Sequence, residues 1–261
     1  MKLPFVGPGS PTVASLVSEQ RRHRPLVCGL QIENFDDDTR TGTIAGGHII
    51  VGTLGCFVTL NAGGTAILSN NHVVAGENRG QKGNDRIMQA GTGAFVAADQ
   101  AGTLTDYVAV VASPAGATPA TGGVQFNDID AGIATVQGGT AFHPAYLPSR
   151  PVAAPSGQTT AAIGDHVYKL GRTTGLTRGI VTAINTVVGP IPYAPGPCWF
   201  RRTIVMEGLH GTMFSDHGDS GSAIIKDGTR EVVGLLFAGN GTDTFACPID
   251  AVLTALNCSI T

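Results

Sequence analysis

Apolar positions along this chain come in short runs, broken by clusters of Gly, Pro, Asn and Thr. Gly55-Cys56-Phe57-Val58-Thr59-Leu60 is one such run, closed by a turn signal at Asn61-Ala62-Gly63-Gly64. Runs of this length between turn formers predict strands. Strands are expected to begin near Leu26 and Ile44, and to recur at 107–111, 133–136, 166–170, 179–184, 223–225 and 232–237. One stretch follows another period. In 248–256 the apolar Ile249, Val252, Leu253 and Leu256 fall on one helical face. The pattern predicts an all-β chain that ends in a short helix.

Composition sharpens this picture. Thirty-seven glycines, 15 prolines and only 13% charged residues favour turns and strands over helices. At 261 residues the chain makes one large β domain or two small ones. Residues 138–160 are dense in Gly, Pro and Ser, as a crossover between domains would be. The division expected is an extended arm over 1–25, a first β-barrel over 26–137, a linker over 138–160, and a second barrel with the helix over 161–261. The arm ends in a basic cluster, Arg21-Arg22-His23-Arg24, read as a solvated tether with a docking or autoinhibitory segment as the alternative. A net charge of −3 argues against nucleic acid as a partner. No apolar run approaches the length of a membrane span, so no membrane partner is expected. Prolines and glycines interrupt the first ten residues, which do not read as a signal peptide. No metal-ligand cluster, phosphate loop or dinucleotide fingerprint occurs, so no cofactor is expected.

The chemistry concentrates at His217-Gly218-Asp219-Ser220-Gly221-Ser222. Glycines on either side of Asp219-Ser220 permit a tight turn that aims backbone N–H groups at one point beside the serine hydroxyl, where an oxyanion would form. A serine hydroxyl is a weak nucleophile until a histidine takes its proton, and that histidine needs a carboxylate to fix its tautomer. His72 follows a strand-like run in Leu68-Ser69-Asn70-Asn71-His72-Val73-Val74, and is the candidate base among seven histidines. Asp106, Asp128 and Asp130 are the candidate carboxylates, each leading into an apolar run. Small neighbours, Ala131 and Gly132, favour Asp130, because a triad aspartate is buried against the histidine loop.

Ser69-Asn70-Asn71-His72-Val73, Gly171-Arg172-Thr173-Thr174-Gly175 and Gly218-Asp219-Ser220-Gly221-Ser222 together resemble the trypsin-like serine proteases of the chymotrypsin fold, in particular a bacterial branch with SNNHV, GRTTG and GDSGS motifs. The resemblance covers roughly residues 45 to 257. It implies two antiparallel six-stranded β-barrels with a short C-terminal helix, and a catalytic triad of His72, Asp130 and Ser220. It implies an oxyanion hole made by the Gly218 and Ser220 N–H groups. Phe214 would floor the primary pocket, Phe237-Ala238-Gly239 would form one wall, and His217 would line the cleft. With no acid at the floor, cleavage after apolar or small residues is expected. Asp219 pairs with a freed N-terminus in secreted members of this family. The segment His48-Ile49-Ile50-Val51-Gly52 mimics such an activation sequence but lies too close to His72, and is read as a strand. Arg172 is therefore the expected partner of Asp219.

The five cysteines contain no CxxC pair. A bridge to the residue after the histidine, common in secreted relatives, is ruled out by Val73, so the thiols read as reduced core residues of a cytoplasmic protein, with one disulfide left open. The expected activity is a serine endopeptidase acting on polypeptides. The alternatives are an esterase-like or self-processing hydrolase, and a catalytically quiet peptide-binding module. An intracellular protease must be restrained, and the basic arm, narrow specificity and a regulatory protein partner are the candidate restraints.

Overall fold

In the computed structural model, which describes residues 18–150 and 152–261, the apolar runs become strands of two sheets. The first half supplies β1 (Gln31–Asn34), β2 (Val51–Thr53), β3 (Cys56–Leu60), β4 (Thr65–Ser69), β5 (Arg86–Met88), β6 (Gln100–Tyr107), β7 (Phe126–Asn127) and β8 (Gly132–Val136). The second supplies β9 (His166–Gly171), β10 (Gly175–Tyr193), β11 (Gly196–Gly208), β12 (Ala223–Lys226), β13 (Val232–Gly239), β14 (Asp243–Pro248) and β15 (Cys258–Ile260). Three short helices are described: α1 (Phe35–Arg40), α2 (Asn71–Val74) and α3 (Ile249–Ala255).

The first sheet runs β15-β3-β4-β8-β6-β5-β1-β2 and is antiparallel throughout, a half-barrel. The second runs β10-β9-β12-β13-β14-β11, and β10 pairs back onto β11 to close a six-stranded antiparallel ring. Outside the ring, β7 adds to β11 in parallel. The expected two-barrel, all-β architecture with its C-terminal helix is thus the one observed. The first sheet has eight strands rather than six, and one of them is β15, which the chain end lays against β3.

The continuous apolar runs of the second half have a simple cause. Val167, Ile224, Val233 and Leu236 point into a core inside the ring, with Met206 and Phe214. Their neighbours Tyr168, Ile225, Val232, Leu235 and Phe237 point the other way, into the core shared with the first sheet. Strands buried on both faces lose the polar alternation of a solvated sheet. Helix α3 buries Ile249, Val252 and Leu253, the face its spacing predicts.

Three expected strands differ. The run 107–111 is not a strand of its own: β6 ends at Tyr107, and 108–111 are irregular. Leu26 makes only an isolated bridge to Phe142, and the strand begins at Gln31. Ile44 lies in a turn, and the strand begins at Val51, just after Asp38 Oδ2 takes the Ile50 N–H at 3.0 Å. Of the arm, 1–17 lie outside the described residues. Residues 18–24 are docked rather than tethered. Glu19 is buried and holds Arg150 through two bonds of 2.6 and 3.0 Å. Arg22 pairs with Asp99, and Arg24 reaches Gln89 Oε1 at 2.7 Å. Asp99 and Gln89 of the first half therefore hold Arg22 and Arg24, although Arg21 and Arg22 stay exposed. All five cysteines are buried and free. Among the described residues no helix is long and apolar enough to cross a membrane.

Beside β1 and α1, two carboxylates are buried without an ion pair among the described residues. Glu33 accepts the Gly93 N–H, and Asp38 that of Ile50. Burial pushes Glu33 from its ordinary 4.5 up to about 7, against the pull of the Gly93 and Thr92 N–H groups. Burial, with help from Glu33 and Asp37, pushes Asp38 from 3.8 up to about 7. Between the ordinary and raised values the folded chain holds more protons than the unfolded chain, so stability falls as pH rises through that window. The expected result is a melting temperature that drops between pH 5 and pH 8, and a Glu33→Gln variant that is more stable than wild type at pH 8 by on the order of 2–3 kcal/mol. Thermal melts across pH check this. A Glu33→Gln protein no more stable than wild type at pH 8 would contradict it.

Candidate active site

The residues of the SNNHV segment are each tied down before the histidine is reached. Ser69, the last residue of β4, donates to Thr53 O at 2.8 Å. Asn70 occupies the N-cap position of α2, and its side chain donates to Asp130 O at 2.7 Å. Asn71 donates to Val108 O at 2.6 Å and to Asn78 Oδ1 at 2.8 Å. The single turn of α2 then presents His72, which is buried apart from one edge.

Of the three candidate carboxylates, only Asp130 meets His72. His72 Nδ1 lies 2.5 Å from Asp130 Oδ2, and the His72 backbone N–H lies 3.3 Å from Oδ1. Asp130 is fully buried, and its own N–H rests on Cys247 Sγ at 3.2 Å. Asp106 instead pairs with Lys82 at 2.5 Å and Asp128 with Arg201 at 2.6 Å, both towards solvent. The small residue after Ala131 is required: a Cβ on Gly132 would stand 2.7 Å from Val74 Cγ2 of the histidine helix. Burial pulls the His72 imidazolium down. The Asp130 charge, the Asp130 hydrogen bond and Glu77 more than offset that, and hold the ring above its ordinary 6.5.

Ser220 sits in the turn before β12, just after the Asp219 N–H donates to Asp216 O at 3.0 Å. Gly218 and Gly221 both take positive φ, +94° and +91°. A Cβ on Gly221 would stand 2.2 Å from Ser69 Oγ and 2.3 Å from Thr53 O, so the turn lies hard against the first half. Thr53 stitches it there: its N–H donates to Ser220 O at 2.8 Å and its hydroxyl to Gly218 O at 3.0 Å. Among the described residues no acceptor takes the N–H of Gly218 or of Ser220. Two uncommitted donors beside a serine hydroxyl can receive a developing oxyanion. Ser220 Oγ is 3.5 Å from Phe237 O.

Below the turn, the partner expected for Asp219 is corrected. Arg172 does not bond to it, and its Nε goes to Gln31 Oε1 at 2.7 Å. The cation on Asp219 is Lys169 of β9, at 3.1 Å, with both side chains fully buried. Asp219 also accepts from Thr173 N at 2.9 Å, Asp216 N at 3.0 Å and Thr174 Oγ1 at 2.7 Å. The GRTTG loop therefore serves Asp219 through its backbone and threonines, while the charge comes from the strand before it. Burial pulls the Lys169 ammonium below its ordinary value, against the raising effect of Asp219.

His72 and Ser220 line one cleft of about 430 Å³. His217, Phe237, Ala238 and Gly239 line it too, as do Ile191, Pro192, Tyr193, Met213, Ser215, Leu236 and Phe245. Phe214 does not. It is buried in the core of the second ring, and its neighbours Met213 and Ser215 face the cleft in its place. Two site contributions lie beyond the sequence reading. Lys169 carries a detectable signal, a lysine inside the apolar run 166–170. Tyr193 carries none, since 189–197 reads as a proline-rich loop, yet its hydroxyl donates to Asp130 Oδ2 at 2.6 Å.

The sequence matches no family model and no curated protein. Solved structures do match. The chain is similar to Nocardiopsis protease, with 19% identity over 90% of this chain and 97% of that one and a TM-score of 0.58. It is similar to a glutamic-acid-specific serine protease described as using a histidine triad in substrate binding, with 20% identity over 90% and 100% and a TM-score of 0.57. It is also similar to Thermobifida fusca protease A, with 19% identity over 81% and 91% and a TM-score of 0.55. At these identities the likeness shows the fold, which is that of the chymotrypsin-like serine proteases.

Proposed function

We propose that this chain is a serine endopeptidase. Ser220 attacks the peptide carbonyl, His72 takes its proton and returns it to the leaving amine, and Asp130 orients the imidazole. The Gly218 and Ser220 N–H groups hold the oxyanion, and water then hydrolyses the acyl-enzyme. The observation that carries this reading is the 2.5 Å contact between His72 Nδ1 and buried Asp130, in a cleft that Ser220 also lines. Asp130 directs the Nδ1 proton and leaves Nε2 as the base.

For the residue before the scissile bond, we propose an apolar or small side chain. Met213, Leu236, Phe237 and Phe245 supply apolar wall. The acids on the lining are Glu77, engaged with the Ala194 N–H and Arg79, and Asp216, whose carboxylate takes the His217 N–H. The lining histidines are His72, held by Asp130, and His217, so the cleft gives less support to an acidic side chain. A cytoplasmic setting is proposed on the reading of the five buried thiols as reduced core residues.

The test is fluorophosphonate labelling under reducing conditions of wild type, Ser220→Ala and His72→Ala. Wild type alone should label. A folded wild type that does not label would favour a peptide-binding module, and ester turnover without peptide turnover would favour an esterase. Because His72 is held above the ordinary histidine value, the acid limb of kcat/KM is expected above about 6.5. The imidazole is protonated, and unable to act as base, below that limb. A pH–rate profile whose limb lies below 6 would contradict the assignment.

A further inference from the structure

The longest strands of the chain form a hairpin, and its tip lies against the other barrel. Strand β10 runs 19 residues and β11 runs 13, paired from Gly179–Gly208 out to Tyr193–Gly196. At the tip, Tyr193 OH donates to Asp130 Oδ2, the same oxygen that meets His72 Nδ1. One residue on, the Ala194 N–H donates to Glu77, which follows the histidine helix. The Tyr193 ring stands edge-on to His72, with centroids 6.0 Å apart and planes at 81°. Behind it the ring packs on Phe200 at 5.7 Å, and Phe200 on Phe237 at 4.6 Å. One backbone contact, from Ala194 to Glu77, and an aromatic stack thus fix the hydroxyl over the carboxylate.

We propose that Tyr193 is a positioning residue that holds the Asp130 carboxylate in the plane His72 requires. This rests on the reading of His72 and Asp130 as parts of a catalytic relay. Asp130 has four acceptor directions and few donors. Oδ1 receives the His72 N–H at a long 3.3 Å, and Oδ2 receives His72 Nδ1 and Tyr193. Without the hydroxyl, Oδ2 keeps the imidazole alone, and only the long Oδ1 contact opposes rotation of the carboxylate about its Cβ–Cγ bond. Burial and the neighbouring Asp130 charge keep the phenol well above its ordinary value, so it remains a donor at every working pH. The relay is thus completed by a residue from the second barrel, although His72 and Asp130 both belong to the first half.

Tyr193→Phe tests this, since it keeps the ring on Phe200 and removes only the hydroxyl. The groups facing the relay are Asp130 and Glu77 on His72, and Tyr193 and Cys247 on Asp130. Loss of the tyrosine donor leaves the carboxylate less neutralised and a stronger partner for the imidazolium. The expected result is a fall in kcat on the order of tenfold with KM within about twofold, because a hydrogen bond to a charged group is lost. The His72 ring titration, read by NMR, and the acid limb of kcat/KM are both expected to move upward. A His72 titration that stays where it is in wild type overturns the proposal whatever the rate does. A loss confined to KM also overturns it, and would make Tyr193 a wall of the cleft only. The NMR titration needs no turnover. A wild type that neither labels nor cleaves therefore sinks the protease reading, while the effect of Tyr193→Phe on His72 still decides this one.

Discussion

Ser220→Ala is expected to abolish peptide turnover, by on the order of 10⁶-fold in kcat, and Asp130→Asn to reduce it by on the order of 10⁴-fold, with both proteins folded. The first value follows from the loss of the attacking atom. What remains is the rate that binding and oxyanion donors alone provide. The second is the sharper test. An asparagine at 130 keeps the volume and can present its NH₂ to His72, which turns the imidazole to the tautomer with its proton on Nε2, where the serine needs a base. Asp106→Asn and Asp128→Asn serve as matched controls. Both aspartates are solvent-facing partners of surface cations, Lys82 and Arg201, and their loss is expected to leave kcat/KM within about twofold. The measurement is kcat/KM on an apolar-site peptide for the four variants beside wild type. An Asp130→Asn enzyme as active as the controls would remove Asp130 from the mechanism.

The parts of this site that the sequence reveals are those whose signal is local. A serine between glycines requires positive φ at 218 and 221, and only a narrow set of residues permits it. His72 is legible because the strand gives way there to a one-turn helix that Asn70 and Asn71 tether. Asp130 is favoured by a packing argument, and the close approach of Gly132 to Val74 is the contact that argument anticipates. What is not legible depends on register between distant strands. Phe214 sits six residues before Ser220, but whether it faces cleft or core is decided by the second ring, whose interior claims it. Arg172 is the cation inside the GRTTG motif, yet Lys169 points from β9 into the buried space, and Arg172 turns to Gln31. The hairpin is the extreme case. Gly189-Pro190-Ile191-Pro192-Tyr193 has no alternation to read, and its strand character comes only from pairing with 196–200. A function assigned to Tyr193 could not be reached without the fold that brings it to Asp130.

Lys169→Met is expected to destabilise the protein by about 3–5 kcal/mol and to cost activity as well. The pair it breaks is fully buried on both sides, so Asp219 would keep its charge with no cation and no water to screen it. For a chain of this size each kcal/mol lowers the melting temperature by roughly 2–4 °C, and the melt should therefore fall by on the order of 10 °C. The loss reaches catalysis because Asp219 is the residue between Gly218 and Ser220. Its carboxylate gathers the N–H groups of Thr173, Thr174 and Asp216, and so sets the path of the turn that aims the oxyanion donors. One comparison separates charge from shape. Lys169→Met/Asp219→Asn should recover part of the stability, since no unpaired charge remains, but not the activity, since an amide cannot receive the same donors on both oxygens. Melts of the single and double variants at pH 8, beside kcat/KM, make the measurement. If Lys169→Met melts with wild type at pH 8, the buried pair is not what holds the oxyanion turn.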